Sequence, residues 1–126
     1  MSEAFTITTE RVDDIPVLAA NMEKMGVAEL VDEHFRMHGN WGGISLGRVC
    51  CGWLMHILSE ADHRMNHVQP WAEKRRETLC GCLGGEVSAQ DFTDDRLEIA
   101  LDALSEDESW AEFEAALNRR TVRCTT

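Results

Sequence analysis

The side chains best able to do chemistry gather in one stretch of this 126-residue chain, Glu60 to Leu79, EADHRMNHVQPWAEKRRETL. It holds Arg64, the pair His63 and His67, and the cation run Lys74, Arg75 and Arg76. Guanidinium and ammonium groups on one helical face can meet phosphates. Two imidazoles four residues apart can offer themselves to one metal, and His34 and His38 repeat that spacing. Neither pair contains the Glu of an H-E-x-x-H site, and Cys80 and Cys82 form a C-x-C rather than a C-x-x-C. Turn and capping hydrogen bonds for the histidines and half-buried thiols for the cysteines are the simpler reading. A small metal or redox protein built on His63, His67, Cys80 and Cys82 is a third hypothesis, behind the two functional readings below.

Acid pairs recur at Asp13-Asp14, Asp32-Glu33, Asp94-Asp95 and Asp107-Glu108. Paired carboxylates can shuttle protons or hold Mg2+. All but Asp32-Glu33 fall at expected helix starts, where the helix dipole explains them. No G-x-S-x-G, P-loop or G-x-G-x-x-G occurs, and no Lys follows Gly42-Gly43 into a helix to make a phosphate cradle.

The net charge is -11, unevenly spread. Residues 1–62 carry 4 basic and 10 acidic side chains, residues 63–82 carry 4 and 2, and residues 83–126 carry 4 and 11. Such a chain repels DNA at long range, so a DNA contact must be local or assisted. Five cysteines and no secretory signal argue against a disulfide framework, with Cys50 and Cys51 reduced and at least one of them in the core. No apolar run approaches a membrane span, and the expected location is the cytoplasm.

The elements that must position these residues are short helices. Residues 4–9, FTITTE, alternate like a short edge strand. Pro16 opens a helix with Ile15, Leu18, Ala19, Met22 and Met25 inward, closed by Gly26. Val27, Leu30, Val31 and Phe35 form a second stripe, before a loop from Arg36 to Ile44. Ser45 caps the central helix, whose stripe is Leu46, Val49, Cys50, Trp53, Leu54, Ile57 and Leu58. Its other side carries Gly47, Gly52 and Met55 and lets a neighbour approach. One helix then runs from Val68 to Leu83, with Trp71 on one face and Lys74, Arg75 and Arg76 on the other. Thr93 or Asp94 starts the next, with Leu97, Ala100, Leu101 and Leu104 inward. Ser105 and Glu108 form a capping box for the last, which places Trp110, Phe113 and Leu117 inward and ends at Arg119-Arg120. The expected fold is all-α, a compact bundle of five to six short helices with at most that one strand, in a single domain spanning 1–126.

Three stretches carry a family resemblance. They are IPVLAANMEKMGVAELVDEHF, then HGNWGGISLGRVCCGWLMHILSEADHRMNHVQPWAEKR, then DFTDDRLEIALDALSEDESWAEFEAALNRR. Over roughly residues 10 to 122 the chain resembles the N-terminal domain of insertion-sequence DDE transposases of the IS4-like superfamily. The resemblance implies a helical region preceding an RNase H-like catalytic domain that uses a divalent metal such as Mg2+. The tail RTVRCTT holds no acid, so the catalytic domain is expected to be absent and the chain itself to be no enzyme, without a cofactor. The implied role is transposon-end DNA binding or transposase multimerisation, with Arg64, His67, Lys74, Arg75 and Arg76 as the DNA-facing residues. Its partners would be transposon-end DNA and a second copy or intact transposase, with no membrane. The alternatives are a helical dimerisation module without DNA contact, and a truncated copy that inhibits intact transposase or does nothing.

Overall fold

The computed structural model describes residues 14–35 and 41–125, with side chains through Val122. Seven α-helices follow one another: α1 (Ile15–Met25), α2 (Val27–His34), α3 (Leu46–Glu60), α4 (Val68–Lys74), α5 (Arg76–Leu83), α6 (Asp94–Leu104) and α7 (Asp107–Thr125). Short 3-10 turns occupy Met65–His67 and Ala89–Phe92. The all-α class holds among the described residues. The expected strand at 4–9 lies outside them, as does His38.

The boundaries follow local chemistry. Gly26 adopts φ 69°, a left-handed conformation that glycine enters without a Cβ clash, and its N–H reaches the Glu23 carbonyl at 3.0 Å. The helix α2 restarts at the next residue. Ser45 Oγ accepts the Arg48 N–H at 3.3 Å, and Thr93 Oγ1 accepts the Arg96 N–H at 3.3 Å, so both expected caps form. The last cap differs from expectation. Ser105 closes α6, its hydroxyl donating to the Asp102 carbonyl at 2.7 Å. Glu106 opens α7 instead, accepting the N–H groups of Glu108 and Ser109 at 3.3 and 2.8 Å. Those contacts, the Ser109 ones foremost, hold its carboxyl below the ordinary range. The helix α7 also runs past Arg119-Arg120 to Thr125.

The helix α3 is the shared wall between two buried clusters. Val49 and Met55 join Ile15, Val68, Leu79, Phe92 and Leu97. Leu46, Cys50 and Cys51 join Leu30, Val31, Phe35 and Phe113. Both sides of α3 are packed, as expected: Leu46, Val49 and Cys50 of the stripe are buried, and so are Gly47, Gly52, Met55 and His56 across from it, whereas Leu54 and Leu58, expected inward, are exposed. Glycine explains the close approach. A Cβ on Gly47 would strike the backbone of Ala28, and one on Gly52 would lie 2.6 Å from the Phe92 ring. The helix α2 and Phe92 therefore press directly onto the α3 backbone on that side. Leu101 and Trp110, also expected inward, are partly exposed, while Leu97, Ala100 and Phe113 are buried.

Where one helix was expected over 68–83, there are two. Arg75 sits at the break with φ -122° and ψ 25°, its N–H turning to Ala72 at 3.1 Å. This split raises the count to seven.

Candidate functional site

The basic segment is built around two carboxylates at the C-terminal end of α3. Ala61 ends that helix at φ 52°, a left-handed conformation unusual without glycine, and turns the chain so that Asp62 faces back. Asp62 Oδ1 accepts the backbone N–H of Arg64 and its Nε, each at 3.0 Å. Asp62 Oδ2 meets His67 Nδ1 at 2.7 Å and lies 3.9 Å from His56 Nε2. The Arg64 backbone bond first, then the Arg64 and His67 side chains, hold its carboxyl far below the ordinary range.

Glu60 takes the second cation. Its Oε1 accepts from Arg75 Nη2 at 3.2 Å, and Arg75 Nη1 reaches the Trp71 carbonyl at 3.4 Å. The guanidinium lies 5.4 Å from the Trp71 ring centroid, a cation–π distance. Arg75 is 7% exposed. The expectation that it shares a DNA-facing surface opposite Trp71 is therefore corrected: Arg75 packs on the same side as Trp71 because the helix breaks there to turn it inward. Arg76 is half-exposed and partly committed, donating from Nε to the Val87 carbonyl at 3.2 Å and lying 3.6 Å from both Glu77 and Glu86. Arg64 and Lys74 remain exposed, and His67 is partly so.

His56 was not singled out from the sequence. It is buried, edge-on to Trp71 at 5.2 Å between centroids, and burial pushes its pKa below 6.5 against the pull of Asp62 and Glu60. His56 Nδ1 and Trp71 Nε1 are buried without a hydrogen-bond partner among the described residues. The acid in DHR was the available signal for Asp62. Nothing in the periodicity pointed to His56.

The second and third resemblance stretches also lock onto each other. Asp91 Oδ1 accepts the Ile44 N–H at 3.3 Å, and its Oδ2 accepts the Ser88 N–H at 2.9 Å. Arg96 donates to the Asp91 carbonyl at 3.0 Å and to the Ile44 carbonyl at 3.4 Å, with its guanidinium 3.7 Å from the Trp41 ring centroid.

The remaining candidates resolve simply. His34 Nδ1 bonds the Leu30 carbonyl at 2.8 Å, one helical turn back. His63 is exposed, and Cys80 exchanges hydrogen bonds with Val87. No group of three or more His, Cys, Asp or Glu among the described residues is placed to hold a metal. Cys50 and Cys51 are free and buried, and burial pushes their thiols up to about 12 and about 11. Asp94-Asp95 and Asp107-Glu108 lie in first turns, as the dipole reading expected. Asp32 accepts the Gly47 N–H at 2.7 Å. It lines a cleft of about 530 Å3 beside Arg48 and Cys51.

A second depression differs in kind. About 270 Å3 in volume, it opens between α3, α6 and α7 over Trp53, Leu54, Ile57, Leu101 and Trp110, and its lining exposes no polar surface. Leu54, Leu101 and Trp110 are 40%, 47% and 43% exposed. Soluble proteins seldom leave aromatic and leucine side chains contiguous and open without a use for them.

No helix among the described residues is long and apolar enough to cross a membrane. The profile of the family described as Domain of unknown function (DUF4277) matches residues 7–116. No curated protein and no solved structure matches the chain.

Proposed function

The chain belongs to the DUF4277 family, and we propose that it serves DNA transposition as the non-catalytic helical part of an insertion-sequence transposase of the IS4-like type, with assembly as its main task. The observation that carries the assembly role is the open apolar groove over Leu54, Leu101 and Trp110. It is suited to protein and offers nothing to phosphate. The partner is a second copy or an intact transposase, working in the cytoplasm beside its DNA. The chemistry of strand cutting is left to a separate catalytic domain.

Transposon-end DNA enters this reading as a weaker contact. Arg64 and Lys74 are its exposed cations, with His67 and Arg76 half-available. Arg75 is withdrawn from the set because it is spent on Glu60 and Trp71. The competing reading, a dimerisation module without DNA contact, is favoured by the -11 net charge.

Sedimentation across a concentration series tests the assembly role. Reversible growth in mass with concentration is expected, and a monomer throughout would sink it. A gel shift on the terminal repeats of the element separates the two readings. Retarded DNA that is released when Arg64 and Lys74 become Ala supports the DNA contact. Absence of any shift at low salt leaves the assembly module alone.

A further inference from the structure

Two imidazoles flank one carboxylate at the end of α3. Asp62 Oδ2 meets His67 Nδ1 at 2.7 Å, a full hydrogen bond, and stands 3.9 Å from His56 Nε2, about 1 Å too far for one. The two rings differ in their access to water. His56 is 1% exposed, whereas the His67 side chain is 42% exposed. His67 can exchange Asp62 for solvent, and a charged His56 cannot. Asp62 and Glu60 face His56 from the end of its own helix, His67 from the 3-10 turn and Arg75 from the break between α4 and α5. Burial, His67 and Arg75 oppose a proton on His56, and the two acids favour it. Glu60 cannot turn to a protonated His56, because it holds Arg75 at 3.2 Å and Arg75 is itself buried. Asp62 can, because the ring it gives up has water to turn to.

We infer that Asp62 is an acid-driven exchange point: when His56 gains a proton, the carboxylate turns from His67 to His56 and unpins the start of α4. A buried imidazolium needs an acid beside it far more than a half-exposed one does, and this difference drives the exchange. The consequence follows from where His67 sits. It closes the 3-10 turn Met65–His67 and is the N-cap residue of α4, which no side chain caps. The Asp62–His67 bond is thus a polar tie between that turn and α3. Val68 and Trp71 stay buried and keep α4 seated, so the response is a loosened first turn rather than a lost helix. The basic island then presents, beside exposed Arg64, an imidazole no longer bound to an acid. A state that binds a proton more tightly gains population by up to about tenfold per pH unit as the medium acidifies. The device needs neither DNA nor a second copy.

Amide hydrogen exchange on the whole chain, read by mass spectrometry and corrected for its intrinsic pH dependence, tests the exchange. Peptides covering 62–74 are compared with α6 at about pH 7 and about pH 5.5, in the wild type and in His56→Leu. In the wild type the opening of 62–74 is expected to rise about tenfold at the lower pH while α6 is unchanged. In His56→Leu it is expected to stay within about twofold. Proton NMR of the wild-type imidazoles asks the same question without a variant. The His56 ring should titrate at the midpoint of the exchange change, with circular dichroism still native. Equal loosening in the wild type and His56→Leu overturns the inference, because the exposed ring of His67 would then suffice. Absence of loosening also overturns it. So does loosening of 62–74 and α6 together, which global unfolding explains, and so does a His56 ring that stays neutral until the chain unfolds.

Discussion

Replacing Arg75 by Ala separates a structural arginine from a DNA-binding one. The side chain donates to Glu60 and to the Trp71 carbonyl and rests on the Trp71 ring. A hydrogen bond to a charged group is worth about 1.5–3 kcal/mol, and a desolvated cation–π contact about 1–2. The sum must be discounted, because Glu60 is 34% exposed and regains water when its partner leaves. A loss of about 2–4 kcal/mol remains, since the Trp71 ring and carbonyl stay buried. For a chain of this length each kcal/mol moves the melting temperature by roughly 4 °C, so Arg75→Ala should melt about 8–15 °C lower. Lys74→Ala, an exposed neighbour, should stay within about 0.5 kcal/mol of wild type. Arg75→Lys should recover only part of the loss, because an ammonium cannot stack flat on the indole. The assay is thermal and urea unfolding by circular dichroism. If Arg75→Ala unfolds within about 0.5 kcal/mol of wild type, the inward placement of Arg75 is refuted and its return to a DNA-facing surface is warranted.

Gly47→Ala should cost about 1–3 kcal/mol or more in urea unfolding, because the new methyl group meets the Ala28 backbone rather than a side chain that can turn away. His56 has a folded pKa below its ordinary 6.5, so the unfolded chain binds the extra proton and stability falls as pH drops through that region; His56→Leu should flatten the difference between urea midpoints at about pH 7 and about pH 5. Asp62 acts in the same direction at lower pH: its depressed carboxyl contributes stability above the ordinary carboxylate range that is lost on further acidification, and Asp62→Asn should blunt that loss. Iodoacetamide at about pH 8 should leave Cys50 and Cys51 unmodified in the folded chain and label them after unfolding, as read by peptide mass, since thiols raised this far stay protonated.

Helix starts and stops were legible because their causes are local. Ser45 and Thr93 cap through their own hydroxyls, and Gly26 turns left-handed without help from the rest of the fold. The α2 stripe of Val27, Leu30, Val31 and Phe35 was legible as well, since all four are buried. What escaped the sequence is decided at a distance. The residues around Arg75 are good helix formers, and nothing in AEKRRE predicts a break. The break answers Glu60, fifteen residues earlier, and the Trp71 ring. On α3 the approach of neighbours over Gly47 and Gly52 was legible, but the outward turn of Leu54 and Leu58 was not, because hydrophobic periodicity counts large side chains wherever they point. Counting leucines marked Leu54 and Leu58 as core; both are exposed, and Leu54 lines the open groove. The Ser105 cap failed for a smaller reason: the next residue, Glu106, reaches the same N–H groups with a charged acceptor.

The stretches that carry the resemblance are also the stretches that hold the fold shut. Asp91 and Arg96 clamp Ile44 and Trp41, Asp62 gathers Arg64 and His67, and Glu60 holds Arg75. A guanidinium committed to a carboxylate inside the molecule brings no net charge to a phosphate. The basic island therefore offers far less charge to DNA than its composition suggests, with Lys74 the cation least encumbered. One cation displaces about one counterion, far short of what holds a duplex at physiological salt. Pairing changes that arithmetic without any new contact, because two copies present two such surfaces and make the second contact intramolecular. On this reasoning assembly comes before DNA binding. Any retardation of terminal-repeat DNA should then weaken along with the dimer when Leu101→Lys is introduced into the groove, although this substitution adds positive charge. Tighter DNA binding by Leu101→Lys would show that charge alone, and not assembly, governs the contact.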